Sequence, residues 1–322
     1  MSTVVILTTG GTIAMKRDEA AGGAIPTLQA RDFLALLPPD LAVIQVEEYC
    51  NLPSAHFTLD TLWGLRNRVA ELLDAPETGS IVITHGTDVM EESAYLLDLT
   101  VPGEKPMVLT GAMRTASQIG YDGLANLVAA IRVAASPQAR GLGAMIVMND
   151  EVHAARFVTK THTQSMSTFQ SPFFGPLGRV DGDEVVISQR VTRQWIPCSG
   201  LASNVALIKL AVGVDDGFLK YAVEKGARGV VIEALGGGRV PPWWMPTIQE
   251  AIAAGVTVVI ASRCPGGRVW DGYGYQGAYQ DLRQAGVLFA DGLNGQKARL
   301  KLMVVLGVAE DRDTIHQLWG RA

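Results

Sequence analysis

Two short segments of the chain place a hydroxyl directly after a glycine. Thr8–Thr12 reads TTGGT and Thr84–Asp88 reads THGTD. Each follows an apolar run rich in β-branched residues, Val4–Thr8 and Ser80–Thr84, so each falls where a strand ends. Glycine at such a point lets backbone N–H groups come close to a ligand. A hydroxyl beside those donors has what attack on a carbonyl carbon needs, an oxygen to add and a nest for the oxyanion that forms. Either motif alone is also a tight turn and nothing more, and the pair leaves both readings open.

Other glycine-loop and nucleophile chemistries lack their spacing. There is no G-x-x-x-x-G-K-[ST] for a phosphate loop, and TGGTIA does not fit G-x-G-x-x-G. No G-x-S-x-G elbow is present. The five histidines, His56, His85, His153, His162 and His316, form no H-E-x-x-H pair, and no cysteine adjoins His153 or His162. A threonine nucleophile without a motif-placed histidine needs another proton acceptor, for which lysine and tyrosine are the usual choices.

The elements that must position these loops alternate. Candidate strands are Val4–Thr8, Val43–Tyr49, Ser80–Thr84, Met107–Gly111 and Ala144–Met148. Between them, Leu59–Asp74 carries Leu62, Leu65, Val69, Leu72 and Leu73 on one helical stripe, and Glu91–Leu99 and Gly123–Ala135 read as further helices. A polar stretch containing Gly and Pro runs from Phe173 to Gly200, after which the strands VALIKLAV, GVVIEAL and VTVVIAS resume the pattern. The order predicts an α/β chain of two domains, each a mostly parallel sheet with helices on both faces, the C-terminal one smaller. The expected division is 1–185, a linker over 186–204, and 205–322. In open sheets of this kind ligands bind outside the carboxyl ends of the strands, which is where both Gly-Thr motifs fall.

The chain has 322 residues, enough for two cores without metal or disulfide support. A net charge of −5 with no long basic run argues against a nucleic-acid or anionic-membrane surface. The three cysteines, Cys50, Cys198 and Cys264, are odd in number and widely spaced, which suits free thiols in a reducing compartment. The N-terminal segment lacks the pattern of a secretory leader and no apolar run reaches membrane-spanning length, so a cytoplasmic protein is expected.

TTGGTIA followed by VITHGTDVMEESAYLLDL resembles the bacterial-type L-asparaginases, the asparaginase/glutaminase amidohydrolases. The segments VLTGAMRTASQIGYDGLANL, ARFVTKTHTQSMSTFQS, FFGPLGRV and GLNGQKARLKL continue the resemblance in order along nearly the whole chain.

The resemblance implies hydrolysis of L-asparagine to L-aspartate and ammonia through a threonine acyl-enzyme, with Thr12 as nucleophile. It assigns Thr87, Asp88 and Lys160 to the catalytic machinery, with Asp88 on the substrate α-ammonium. A buried lysine in such a cluster can accept a proton. Ser54 is matched to the α-carboxylate, and Gly11, Gly86 and Ala112 to backbone contacts. Ala55 stands where a polar residue is frequent, which leaves the balance between asparagine and glutamine open. No cofactor or metal is implied. Homodimers or homotetramers are expected, with a small-molecule substrate and no nucleic-acid or membrane partner. A glutaminase-asparaginase of broader amide specificity, and a regulator that binds aspartate or asparagine without turnover, are the alternatives. An amidotransferase subunit is disfavoured, since no basic patch is evident.

Two departures stand out against the resemblance. The tyrosine expected on a lid about a dozen residues after the nucleophile is missing. Lys16–Leu28 reads KRDEAAGGAIPTL, with Ile25 near that place and no tyrosine between Thr12 and Leu41. The glutamate expected from the C-terminal domain is also missing from GGRVWDGYGYQGAY, where Tyr273 and Tyr275 become candidates to serve Thr12 instead.

Overall fold

The computed structural model describes residues 3–18, 22–26, 37, 38 and 41–320. The chain divides into two units, Met1–Trp195 and Ile196–Ala322. The first begins with β1 (Thr3–Gly10), a 3-10 turn at Thr12–Ala14 and the antiparallel pair β2 (Met15–Asp18) and β3 (Gly23–Pro26). It continues through β4 (Ile44–Leu52), α1 (Leu59–Asp74), β5 (Thr78–Thr84), α2 (Met90–Thr100), β6 (Met107–Thr110), α3 (Gly123–Ala135) and β7 (Ala144–Met148). Five short strands follow: β8 (Glu151–Ala154), β9 (Thr159–Lys160), β10 (Phe169–Gln170), β11 (Gly178–Asp181) and β12 (Glu184–Ile187). Of the expected lid, β2 and β3 supply the arms, while 19–21 and 27–28 lie outside the described residues.

Eight strands form one mixed sheet in the order β12-β11-β8-β7-β6-β5-β1-β4. The five from β4 to β7 run parallel, and β8, β11 and β12 extend them antiparallel. Alternation along the parallel strands explains the two helical layers. Val4, Ile6, Val82, Val108, Met145 and Val147 face α3 through Leu127, Ala130 and Ile131. Val5, Leu7, Ile81, Ile83, Leu109 and Ile146 face α1 and α2 through Leu65, Val69, Ala94 and Leu97. Because both faces are covered, these strands read as continuous apolar runs. The Thr58 hydroxyl accepts the Thr61 N–H at 3.1 Å and caps α1.

Of the antiparallel strands, β11 and β12 sit inside the stretch that reads as polar, and β8 precedes it. Asn149 and Asp150, both at positive φ (53° and 60°), make the two-residue turn from β7 to β8. Gly182, at φ 60°, and Asp183 form the two-residue connection from β11 to β12.

The second unit holds an all-parallel sheet, β13 (Val205–Lys209), β14 (Gly229–Ala234), β15 (Thr257–Ser262) and β16 (Leu288–Phe289), in that order. Between and after them lie α4 (Gly217–Glu224), α5 (Met245–Ala253), α6 (Tyr279–Ala285), α7 (Gly295–Val308) and α8 (Arg312–Gly320). Leu219, Ile248, Ala251 and Leu282 of α4, α5 and α6 pack on one face. The buried α7, capped by Asn294, lies against β13, β14 and β15.

Candidate active site

Along the parallel strands the chain steps from β1 to β4 on one side and from β5 to β6 and β7 on the other. The order reverses between β1 and β5, so a crevice opens at their carboxyl ends, where such folds take ligands. Thr12 follows β1 and Thr87 follows β5. Their separation is set by glycine. Gly10 and Gly11 have φ of 96° and 83°, which an L side chain rarely adopts. A Cβ on Gly11 would fall 2.4 Å from Gly86 N, so the two glycine backbones touch and carry Thr12 and Thr87 to the same place. Gly86 in turn leaves room for Ser54, whose Oγ would lie 2.5 Å from a Cβ there.

Ser54 comes from a 3-10 turn two residues beyond β4 and is 3% exposed. Its Oγ accepts the Asp88 N–H at 3.2 Å. Lys160 enters from the β9–β10 pair, where it lies opposite Phe169. Its Nζ donates to Thr87 Oγ1 at 2.9 Å and stands 3.2 Å from Asp88 Oδ1. Thr87 is buried, Lys160 is partly buried and the Asp88 side chain is 62% exposed, which leaves the carboxylate free to meet a ligand. The α2 helix begins two residues after Asp88, so its positive end adds to the field that draws an anion into the crevice.

Beneath this layer His85 is fully buried. Its Nδ1 donates to Gly86 O at 2.7 Å, and its Nε2 accepts from the Ser93 hydroxyl at 2.9 Å. Desolvation brings its pKa down to about 4, so the ring stays neutral and holds the loop before Thr87 as a donor. On the far side, Ala112 is fully buried, and Asn126 Nδ2 donates to Gly111 O at 3.0 Å.

The structure thus brings Gly11, Thr12, Ser54, Gly86, Thr87, Asp88 and Lys160 to one crevice from four loops. Gly111 joins them, since a Cβ there would lie 2.5 Å from His85 O and 3.5 Å from Thr87 Cγ2, and it carries Ala112 beside the same floor. Ala55, next to Ser54, is exposed. Tyr273 and Tyr275 belong to the second unit, where their rings stack with centroids 5.5 Å apart and Arg239 lies over Tyr273 at 4.7 Å. Sequence reading missed His85 as a support and the pair Asp122 and Asn126. The signal available for His85 was its place in a strand-end motif, and for Asp122 and Asn126 their place at the start of α3 in the segment TGAMRTASQIGYDGLANL. Among the described residues no cluster of three His, Cys, Asp or Glu is arranged to hold a metal ion.

An α/β chain that gathers hydroxyl, carboxylate and ammonium groups at the switch point of its sheet has the makings of an enzyme. Residues 3–193 match the family described as asparaginase, N-terminal, and 204–319 match the glutaminase/asparaginase C-terminal domain. An L-asparaginase of Bacillus licheniformis is 35% identical over 94% of this chain and 95% of that one. A glutaminase-asparaginase of Pseudomonas aeruginosa is 34% identical over 99% and 90%. The crystal structure of a probable cytoplasmic L-asparaginase from Campylobacter jejuni aligns with a TM-score of 0.87 and 31% identity, covering 99% of both chains. The chain belongs to the asparaginase family of amidohydrolases.

Proposed function

We propose that this protein hydrolyses L-asparagine to L-aspartate and ammonia, with Thr12 as nucleophile. The observation that carries the reading is the Lys160–Thr87–Asp88 cluster, set one glycine contact away from the Thr12 turn. Asp88 pairs with the substrate α-ammonium, and Ser54 with the α-carboxylate beside the N-terminus of α2. The Thr12 oxygen adds to the carboxamide carbon, and backbone N–H groups of the glycine loops take the oxyanion. The hydroxyl proton passes through the site to the departing nitrogen, which leaves as ammonia. Water then adds to the Thr12 ester under Thr87 and Lys160, releasing L-aspartate and restoring the alcohol.

A broader glutaminase-asparaginase specificity is the second reading. The name of the Pseudomonas aeruginosa relative favours it, and Ala55, exposed next to Ser54, leaves the balance between the two amides open. Ammonia release from L-Asn, L-Gln and D-Asn separates the two, and the same assay on Thr12→Ala tests the nucleophile. Normal turnover by that variant would sink the mechanism.

A homodimer or homotetramer is part of the proposal and is checked by sedimentation. Cytoplasmic placement is supported by three free thiols, Cys50, Cys198 and Cys264, and is checked by cell fractionation. Tyr273 or Tyr275 of a neighbouring subunit is proposed to serve Thr12. If a hydroxyl from Tyr273 or Tyr275 serves Thr12, Tyr273→Phe and Tyr275→Phe, singly and together, lower turnover. Full activity in the double variant reduces the pair to packing.

A further inference from the structure

The 3-10 turn that carries Thr12 presents three carbonyl oxygens in a row. Gly11 O accepts the Ala14 N–H at 3.0 Å, and Thr12 O accepts that of Met15. The third, Ile13 O, accepts the Tyr121 hydroxyl at 2.8 Å, from 108 residues downstream. Five residues earlier in the same loop, the Ala116 N–H donates to Met15 O at 3.1 Å. The loop between β6 and α3 therefore grips the turn at two alternate carbonyls.

That loop is itself anchored. The Asp122 carboxylate accepts the Met113 N–H at 3.0 Å, the Arg114 N–H at 3.0 Å and Asn126 Nδ2 at 3.0 Å. The Tyr121 ring packs on the cluster that contains Ile13, Ala14 and Leu127. Its seat depends on Gly123, the first residue of α3. A Cβ there would fall 2.3 Å from Tyr121 Oη and 2.5 Å from two ring carbons. Burial, together with the neighbouring Asp122 charge, pushes the phenol pKa up to about 12, so the group remains a donor at any working pH.

We infer that Tyr121 is a positioning residue for Thr12: its hydroxyl completes the turn's hydrogen bonding through Ile13 and fixes the direction of the Thr12 oxygen. The inference rests on the proposal that Thr12 is the nucleophile. A misdirected nucleophile slows attack while leaving binding alone, because Ser54 and Asp88, which are proposed to hold the substrate, sit on other loops.

The test compares wild type, Thr12→Ala, Tyr121→Phe, Gly123→Ala and the double variant Tyr121→Phe/Gly123→Ala by steady-state ammonia release and thermal melting. Tyr121→Phe keeps the ring and deletes one neutral hydrogen bond, so kcat is expected to fall roughly 3- to 10-fold with KM within about two-fold of wild type. Gly123→Ala displaces the hydroxyl without removing it and is expected to give a similar kcat loss. The double variant is expected to be no worse than the weaker single one, because both act on the same bond. Wild-type kcat in Tyr121→Phe, a loss expressed in KM, or additive losses in the double variant would overturn the inference. Undiminished turnover by Thr12→Ala would instead overturn the nucleophile assignment on which it rests.

Discussion

Lys160 Nζ and Thr87 Oγ1 are 2.9 Å apart although the two residues are 73 positions apart along the chain. Thr87 arrives on the loop after a central parallel strand, and Lys160 on a two-residue strand of a separate antiparallel pair. With the amine as donor, the Thr87 hydroxyl keeps its own proton free to donate to a substrate atom. The Asp88 carboxylate beside them holds the amine in place from the solvent side.

The first expectation concerns this contact. Lys160→Met keeps most of the stem and removes the amine, and kcat for ammonia release is expected to fall roughly 10²–10⁴-fold, the usual range for a positioned proton-transfer group. Thr87→Ala is expected to fall in the same range, and the double variant little further, since the two act as one relay. Additive losses would show that Lys160 and Thr87 work separately.

Ser54 gives a different signature. Its buried Oγ is the acceptor for the Asp88 N–H, so Ser54→Ala leaves that donor unpaired and is expected to cost about 1–3 kcal/mol of folding stability. If the same oxygen meets the substrate α-carboxylate, KM for L-Asn rises roughly ten-fold while kcat changes less. Urea unfolding and steady-state kinetics on the same preparation check both halves.

Gly11 and Gly226 form a matched pair of glycines, both at positive φ (83° and 75°), and only Gly11 has a neighbour in the way. An alanine at 226 meets nothing within 4 Å, so Gly226→Ala is expected to cost only about 1–2 kcal/mol of backbone strain and to keep full activity. At 11 the added carbon meets rigid backbone at Gly86, so Gly11→Ala is expected to drive the two loops apart and abolish turnover. Normal activity in Gly11→Ala would mean that the Gly11–Gly86 contact does not set the site.

The parallel part of the fold was plain because its central strands β1, β5, β6 and β7 are buried on both faces. α1 and α3 were read to the residue, their stripes being long enough to show a period. β8, β11 and β12 were not visible. Each is four residues long, and GRVD and EVVI alternate buried or half-buried with exposed positions inside a stretch dominated by Gly, Pro and charge. At the site, Thr12 and Thr87 were legible because a glycine preceded each at a strand end. Lys160 and Ser54 were legible only by resemblance, since a lysine in a polar loop and a serine after a proline have no local pattern. Tyr121 went unnoticed because its partner, the Ile13 carbonyl, is a backbone atom 108 residues away.

Three buried groups, two histidines and one aspartate, make opposing contributions to acid stability, and the two signs can be separated. His85 has a folded pKa of about 4 against an ordinary 6.5, because burial disfavours the imidazolium. Between these values the unfolded chain binds a proton that the folded chain refuses, so stability falls as pH drops, by at most about 1.4 kcal/mol per unit. His153 is lowered as well, burial outweighing the Glu151 carboxylate, and it acts in the same direction. Asp98 has the opposite sign. Desolvation raises its pKa from 3.8 to about 6 despite the Arg193 guanidinium 3.0 Å away, so between these values the folded chain takes up a proton that the unfolded chain does not. That uptake stabilises the fold as pH falls through 6 and partly offsets the histidines. Asp98→Asn removes the offset. It is expected to steepen the decline between pH 6 and 4 by up to about 1.4 kcal/mol per unit. Denaturant midpoints measured across that window for wild type and Asp98→Asn decide the matter. Parallel curves would mean that Asp98 stays ionised in the fold and that the Arg193 pairing outweighs burial.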